Sequence, residues 1–247
     1  MPSNKELVTI LQSRLESVAK IKTKDWWEKY LKYTIEFRGV NLAVIRDELK
    51  VWYTEQGIDN LSLDDQLDLA LSFFEEEYAE DKLAGVLFLQ LYLYDRFEWK
   101  LLFPRFEGLF ENNYIFDWNV NDWFCVRVLG PIIEKNGMEC AKAISGWHSS
   151  GNVWQARCSL VAFANLTGNE EFRTMLLESC SILIQREERF AKKAVGWIMR
   201  ELAKSDEKVV VGFIQENGSF FSRESLENAI KYFDKEEKKY LRKFRSS

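Results

Sequence analysis

The chain has 247 residues, enough for one large domain or two small ones, and its 47% hydrophobic content is ample for a core. Its 3 prolines and 12 glycines are too few for the frequent turns of an all-β protein, and no run of 18 apolar residues offers a membrane span. The net charge of -5 argues mildly against a nucleic-acid partner, but it is unevenly spread: residues 1–150 carry 17 basic against 25 acidic side chains, and residues 151–247 carry 17 against 14. A phosphate-bearing partner is therefore expected on the C-terminal half.

Apolar residues recur at the helical period almost throughout. Leu7, Ile10, Leu11, Leu15 and Val18 make the first stripe. A second helix is expected from about Asp25, with Trp26, Tyr30, Leu31, Tyr33 and Phe37 as its large residues. Lys20 to Lys24 then reads as a connector too short for an added helix. Gly39 is suited to end the second helix and Asn41 to cap the third, from Leu42 to Tyr53. Residues 57–63 read as a break. Helices follow over 63–76 and 81–94, and Pro104 marks a start near Phe103. A helix over 117–136 is expected to bend at Gly130-Pro131, where a backbone donor is missing, and to end at Gly137. Further helices are expected over 138–145, 153–166, 170–185, 190–204, 208–216 and 222–244, the last capped by Ser222.

Breaks at this spacing give a two-helix period of about 40 residues, as in HEAT or armadillo arrays. The expected fold is all-α, a superhelical solenoid of HEAT-like two-helix repeats, with residues 1–247 as a single domain. A compact helical bundle reads similarly by pattern alone. Cys125, Cys140, Cys158 and Cys180 lack C-x-x-C spacing and lie in apolar patterns, as small buried hydrophobes do. No metal and no cofactor is expected. The opening residues carry no secretory apolar stretch, and a reducing cytoplasm is the expected compartment. The one histidine, His148, reads as structural or solvated.

Three stretches carry the candidate chemistry. Trp118 and Asp122 are four apart, and Trp197 and Arg200 three apart, so each pair projects from one helical face. Arg157 lies between them. Two tryptophans, a carboxylate and two arginines suit a cationic base on a sugar-phosphate backbone. Taken singly, the stretches have plainer readings. Trp118 and Trp123 read as core aromatics, with Asp122 supporting a helix start. Arg157 reads as a solvated charge, and Arg200 as a solvated arginine beside a half-buried tryptophan. Small Ala194 and Gly196 would admit a close partner beside Trp197. The separations of 35 residues from Asp122 to Arg157 and 40 from Arg157 to Trp197 fit equivalent helices of consecutive repeats lining one concave surface.

Together, Trp118-x-x-x-Asp122, Trp154-x-x-Arg157 and Gly196-Trp197-x-x-Arg200 resemble the HEAT-like-repeat alkylpurine DNA glycosylases, the AlkD-like family of DNA alkylation repair proteins. Phe37-x-Gly39-Val40 resembles that family's early helix break, and the likeness spans about residue 25 to about 240. It implies a monomeric superhelix that holds duplex DNA on its concave face and hydrolyses the N-glycosidic bond of cationic N3- or N7-alkylpurines. Asp122, Trp118 and Trp197 would be catalytic: the tryptophans pack on the sugar and backbone, and Asp122 stabilises the oxocarbenium-like sugar and orients water. Arg157, Arg200, Lys192 and Lys193 would contact DNA. Similar proteins can reach the minor groove with an N-terminal helix where this chain has Lys20 to Lys24. The alternatives are a catalytically weak or inactive DNA-binding paralogue and a helical-repeat scaffold for protein partners.

Overall fold

The computed structural model describes residues 2–245. Among them every regular element is helical, apart from one isolated parallel bridge between Glu36 and Tyr78. The chain divides into two compact units, Met1–Val128 and Leu129–Ser247. The outermost residues of the expected domain, 1 and 246–247, lie outside the described residues.

Unit one holds α1 (Asn4–Ser17), α2 (Ile21–Tyr30), α3 (Leu42–Glu55), α4 (Leu63–Ser72), α5 (Ala79–Phe88), α6 (Trp99–Glu111) and α7 (Trp118–Phe124). Ser3 and Glu6 form a capping box that satisfies amides at the start of α1. Leu7, Leu11 and Leu15 recur along one face of α1, and Ile45, Leu49 and Trp52 along one face of α3; all are buried. The Trp52 indole donates to the Leu7 carbonyl at 3.0 Å, so its polar edge is satisfied inside the core. Alternate helices pack on one another: α1 on α3, α3 on α5, and α5 on α7, with α4 against α1 and α5.

Unit two repeats the scheme. It holds α8 (Gly130–Ser145), α9 (Val153–Val161), α10 (Arg173–Ile184), α11 (Arg189–Leu202), α12 (Glu207–Asn217), α13 (Arg223–Ala229) and α14 (Lys235–Leu241). Here α9, α11 and α13 make one layer, and α8, α10, α12 and α14 make the other. Within each unit this alternation is the packing of a helical-repeat array. The expected all-α, helix-pair class is the observed one.

Several expected boundaries move. Residues 21–24 are the first turn of α2 rather than a connector. That helix stops at Tyr30, because Lys32 and Tyr33 take φ of 54° and 58°. Phe37 lies beyond it, and Gly39 ends no helix. Gly39 has φ +104°, and a Cβ there would stand 2.3 Å from the Lys20 carbonyl oxygen. Only glycine lets this loop close on the link between α1 and α2, where the Lys20 amide donates to the Gly39 carbonyl at 3.0 Å. The buried Glu80 carboxylate then accepts from the amides of Arg38, Gly39 and Val40 at 2.8–2.9 Å. Asn41 occupies the cap position of α3 without a side-chain cap bond.

Further along, α6 begins at Trp99, with Pro104 inside it. After α7 a π turn spans Cys125–Leu129, and Pro131 sits in the first turn of α8, where its missing N–H is harmless. The break in α8 falls at Gly137, whose φ is 68°. The expected helix over 222–244 is split. Ser222 does cap α13, but Asp234 and Glu237 form a second capping box that restarts the chain as α14.

Candidate functional site

In unit one, α7 carries Trp118 and Asp122 one turn apart, both half-buried. Asp117 starts the helix. Its Oδ1 accepts from the amides of Asn119 at 2.7 Å and Val120 at 3.1 Å, while the buried Oδ2 has no hydrogen-bond partner. Burial pushes the Asp117 carboxyl up to about 6, with Asp122 nearby adding to the rise and the two amides and Lys82 opposing it. Lys82 is itself buried and donates to the Phe74 carbonyl, with its ammonium 5.3 Å from the Phe116 ring centre. Burial pulls it down to about 8 against the pull of Asp117, Asp81, Glu76 and Glu75. The root of α7 is thus a fixed arrangement of charges in a largely dry setting.

Trp118 is also braced by aromatic rings. Tyr30 meets it edge-on at 5.5 Å, and Tyr30 stacks on Trp26 at 5.0 Å. Trp27, edge-on to Trp26 at 4.8 Å, stacks on the buried Phe37 at 5.6 Å. A continuous run of rings therefore leads from the core at Phe37 to Trp118.

In unit two, Trp197 sits half-buried on α11 between two guanidinium groups, Arg157 at 6.0 Å and Arg200 at 5.8 Å from its ring centre. At these distances each cation is attracted to the ring by roughly 0.5–1 kcal/mol. Arg157 on α9 is only 3% exposed, and its Nη1 donates to the Phe190 carbonyl at 2.8 Å. It is not the solvated charge that its stretch suggests in isolation. Arg200 donates to Glu201 through Nε and Nη2, and to Asn228 through Nη1 at 3.1 Å. Lys192 donates to the Phe220 carbonyl at 2.8 Å, and Lys193 pairs with Glu224 at 3.0 Å. The close partner admitted by Gly196 is α13, for a Cβ there would lie 2.4 Å from the Ser225 carbonyl oxygen. His148 is structural: its Nδ1 lies 3.1 Å from the Ser179 hydroxyl, which in turn lies 2.8 Å from that of Ser145.

Unit one thus gathers Trp118 and Asp122, and unit two gathers Trp197, Arg157 and Arg200. Sequence reasoning passes over Asp117, Lys82 and Tyr30. Asp117, an aspartate directly before a helix, carries a readable cap signal. Lys82 and Tyr30 reach this site only through the fold. Among the described residues no group of three or more His, Cys, Asp or Glu is placed to hold a metal ion, and no helix is long and apolar enough to cross a membrane. All four cysteines are buried, as their apolar surroundings suggest.

An all-α helical-repeat protein with a carboxylate beside one tryptophan and two arginines around another is the class that fold and site define. Residues 11–233 match the family of DNA alkylation repair enzymes, and the chain belongs to that family. Its fold is similar to that of a predicted DNA alkylation repair enzyme from Enterococcus faecalis, with a TM-score of 0.75 and 17% identity, over 88% of this chain and 97% of that one. No curated protein matches the sequence.

Proposed function

We propose that the chain is a DNA glycosylase that hydrolyses the N-glycosidic bond of cationic N3- and N7-alkylpurines in duplex DNA. The observation that carries this reading is Asp122 held one turn from Trp118 on the capped, rigid start of α7. An alkylated purine already bears positive charge, so its bond to C1′ breaks without a general acid. The bond's electron pair goes to the base nitrogen and neutralises the base, and positive charge develops on the sugar. A preorganised carboxylate in a partly dry site stabilises that charge most effectively. Water then adds to C1′ and loses a proton. In this reading Asp122 stabilises the sugar cation and orients the water, Trp118 and Trp197 pack on the sugar and backbone, and Arg157, Arg200, Lys192 and Lys193 contact the DNA. The expected superhelix with DNA on its concave face, the single domain, the monomer and the cytoplasmic setting belong to the same proposal.

The internal bonding of Arg157, Lys192 and Lys193 favours one second reading, a DNA-binding paralogue without excision. The test is release of N7-methylguanine and N3-methyladenine from methylated duplex DNA. Wild-type release with none from Asp122→Asn supports the glycosylase. Undiminished release by the variant sinks the role given to Asp122, and binding without release by the wild type selects the second reading.

A further inference from the structure

Helix α2 has an unusual relation to its unit, because none of its ten residues is buried. It is held by the Trp27–Phe37 stack, by Glu28 accepting from the Phe37 amide at 3.2 Å, and by the close seating of Gly39 on its first turn. What it displays instead is apolar. Ile21 is 68% exposed, Trp26 and Tyr30 each 55%, and the following Tyr33 73%. Leaving this much apolar surface in water forgoes the gain that burying it would bring.

The charge on this segment opposes that of its surroundings. Residues 20–32 carry five lysines against two acidic residues, inside the acidic half of the chain. Lys24 pairs with Glu28 at 3.6 Å. Lys20, Lys22, Lys29 and Lys32 are exposed, and among the described residues none of them is held in an ion pair. Aromatic faces interleaved with unpaired lysines match a nucleic-acid strand, whose bases stack on rings while its phosphates meet cations. The Trp26–Tyr30 pair presents its planes nearly parallel, at 19°, and Tyr30 touches Trp118.

We propose that the exposed face of α2, centred on Trp26 and Tyr30, is a stacking platform for an unpaired nucleobase of the DNA, flanked by lysines that hold the adjoining phosphates. This rests on the reading above that DNA is engaged at Trp118, and it adds a function that reading lacks. A base that loses its pairing beside the lesion stacks on Trp26, while the lesion itself stays at α7. The same platform gives the protein a preference for duplexes that already contain an unpaired base.

The test compares binding of the full chain to a fluorescein-labelled duplex with a one-nucleotide bulge and to the fully paired duplex of the same sequence. Wild-type protein is expected to prefer the bulged duplex. Trp26→Ala with Tyr30→Ala is expected to lose about tenfold or more of affinity for it, and less for the paired duplex. Trp26→Phe with Tyr30→Phe keeps the ring faces and retains the preference. Trp26 and Tyr30 are each more than half exposed, so the alanine variant is expected to keep a cooperative, folded melting transition by circular dichroism. The proposal is overturned if wild type shows no preference, or if the alanine variant binds the bulged duplex as tightly as wild type. Wild-type protein that binds neither duplex overturns the DNA reading itself along with it, an outcome distinct from the loss of the platform alone.

Discussion

At the scale of single residues, Asp117 combines opposed demands. Its carboxylate caps α7 through Oδ1, yet its Oδ2 is buried without a partner and Asp122 lies nearby. The folded chain therefore holds this proton up to about 6, above the ordinary aspartate value of 3.8. Between those values the folded state binds more protons than the unfolded one, so this group's contribution to stability falls as pH rises from about 4 to about 6. The cost of ionisation is full above that window and relieved below it. Asp117→Asn keeps an oxygen acceptor for the cap and removes the ionisation. Relative to wild type, the variant is expected to gain about 2 kcal/mol between pH 4 and pH 7, read from denaturant melts at each pH. An unchanged difference across that range would contradict the buried, unpaired state of Oδ2. Little of this is legible in the sequence. A residue string shows an aspartate before a helix, but not the burial that raises its carboxyl, which comes only with the fold. Arg157 teaches the same lesson, since nothing local distinguishes a solvated arginine from one folded over a tryptophan that lies 40 residues on.

At the scale of elements, the contact of α11 with α13 sets Trp197 and Arg200 in place. Gly196 lies against the backbone of Ser225, which is in the first turn of α13 and cannot swing aside as a flexible side chain does. Gly196→Ala forces the two helices apart. It is expected to cost about 2 kcal/mol or more in chemical denaturation, at the upper end of overpacking penalties. A loss under about 0.5 kcal/mol, within the range of ordinary surface changes, would show that the contact is soft. The Glu80 carboxylate is a second such joint. Glu80→Ala strands three loop amides at 38–40 and is expected to destabilise unit one by about 2 kcal/mol or more, measured the same way. Helical periodicity made nearly all the helices legible, together with caps such as Ser222 and the break at Gly137. The end of α2 was not legible, because Lys32 and Tyr33 adopt positive φ without a glycine to announce it. Nor was the break before α14, where a local capping box overrides an apolar pattern that continues through it.

At the scale of the whole molecule, the -5 net charge hides separate basic regions. One is the lysine set around α2, and the other is the cationic surface of α11. Binding that rests on such regions depends on counterion release, so affinity for duplex DNA is expected to fall steeply between 50 and 200 mM salt. Lys22→Ala with Lys29→Ala should lower the slope of log affinity against log salt by about 2, and Lys192→Ala with Lys193→Ala by about the same. A slope that neither pair alters would place the phosphates elsewhere. Composition alone showed the C-terminal excess of basic residues but missed the N-terminal cluster, which is averaged away inside an acidic half.

The buried cysteines make the chain its own reporter of opening. Burial raises the Cys140 thiol to about 12 and Cys180 higher still, so the reactive thiolate is scarce as well as shielded. A thiol reagent added to the folded protein waits for the structure to open. Cys125 belongs to unit one, whereas Cys140, Cys158 and Cys180 belong to unit two. Mass spectrometry of timed labelling then separates the units without a single substitution. Adducts that arrive four together describe one cooperative body, and adducts that arrive as one and three describe two that open in turn.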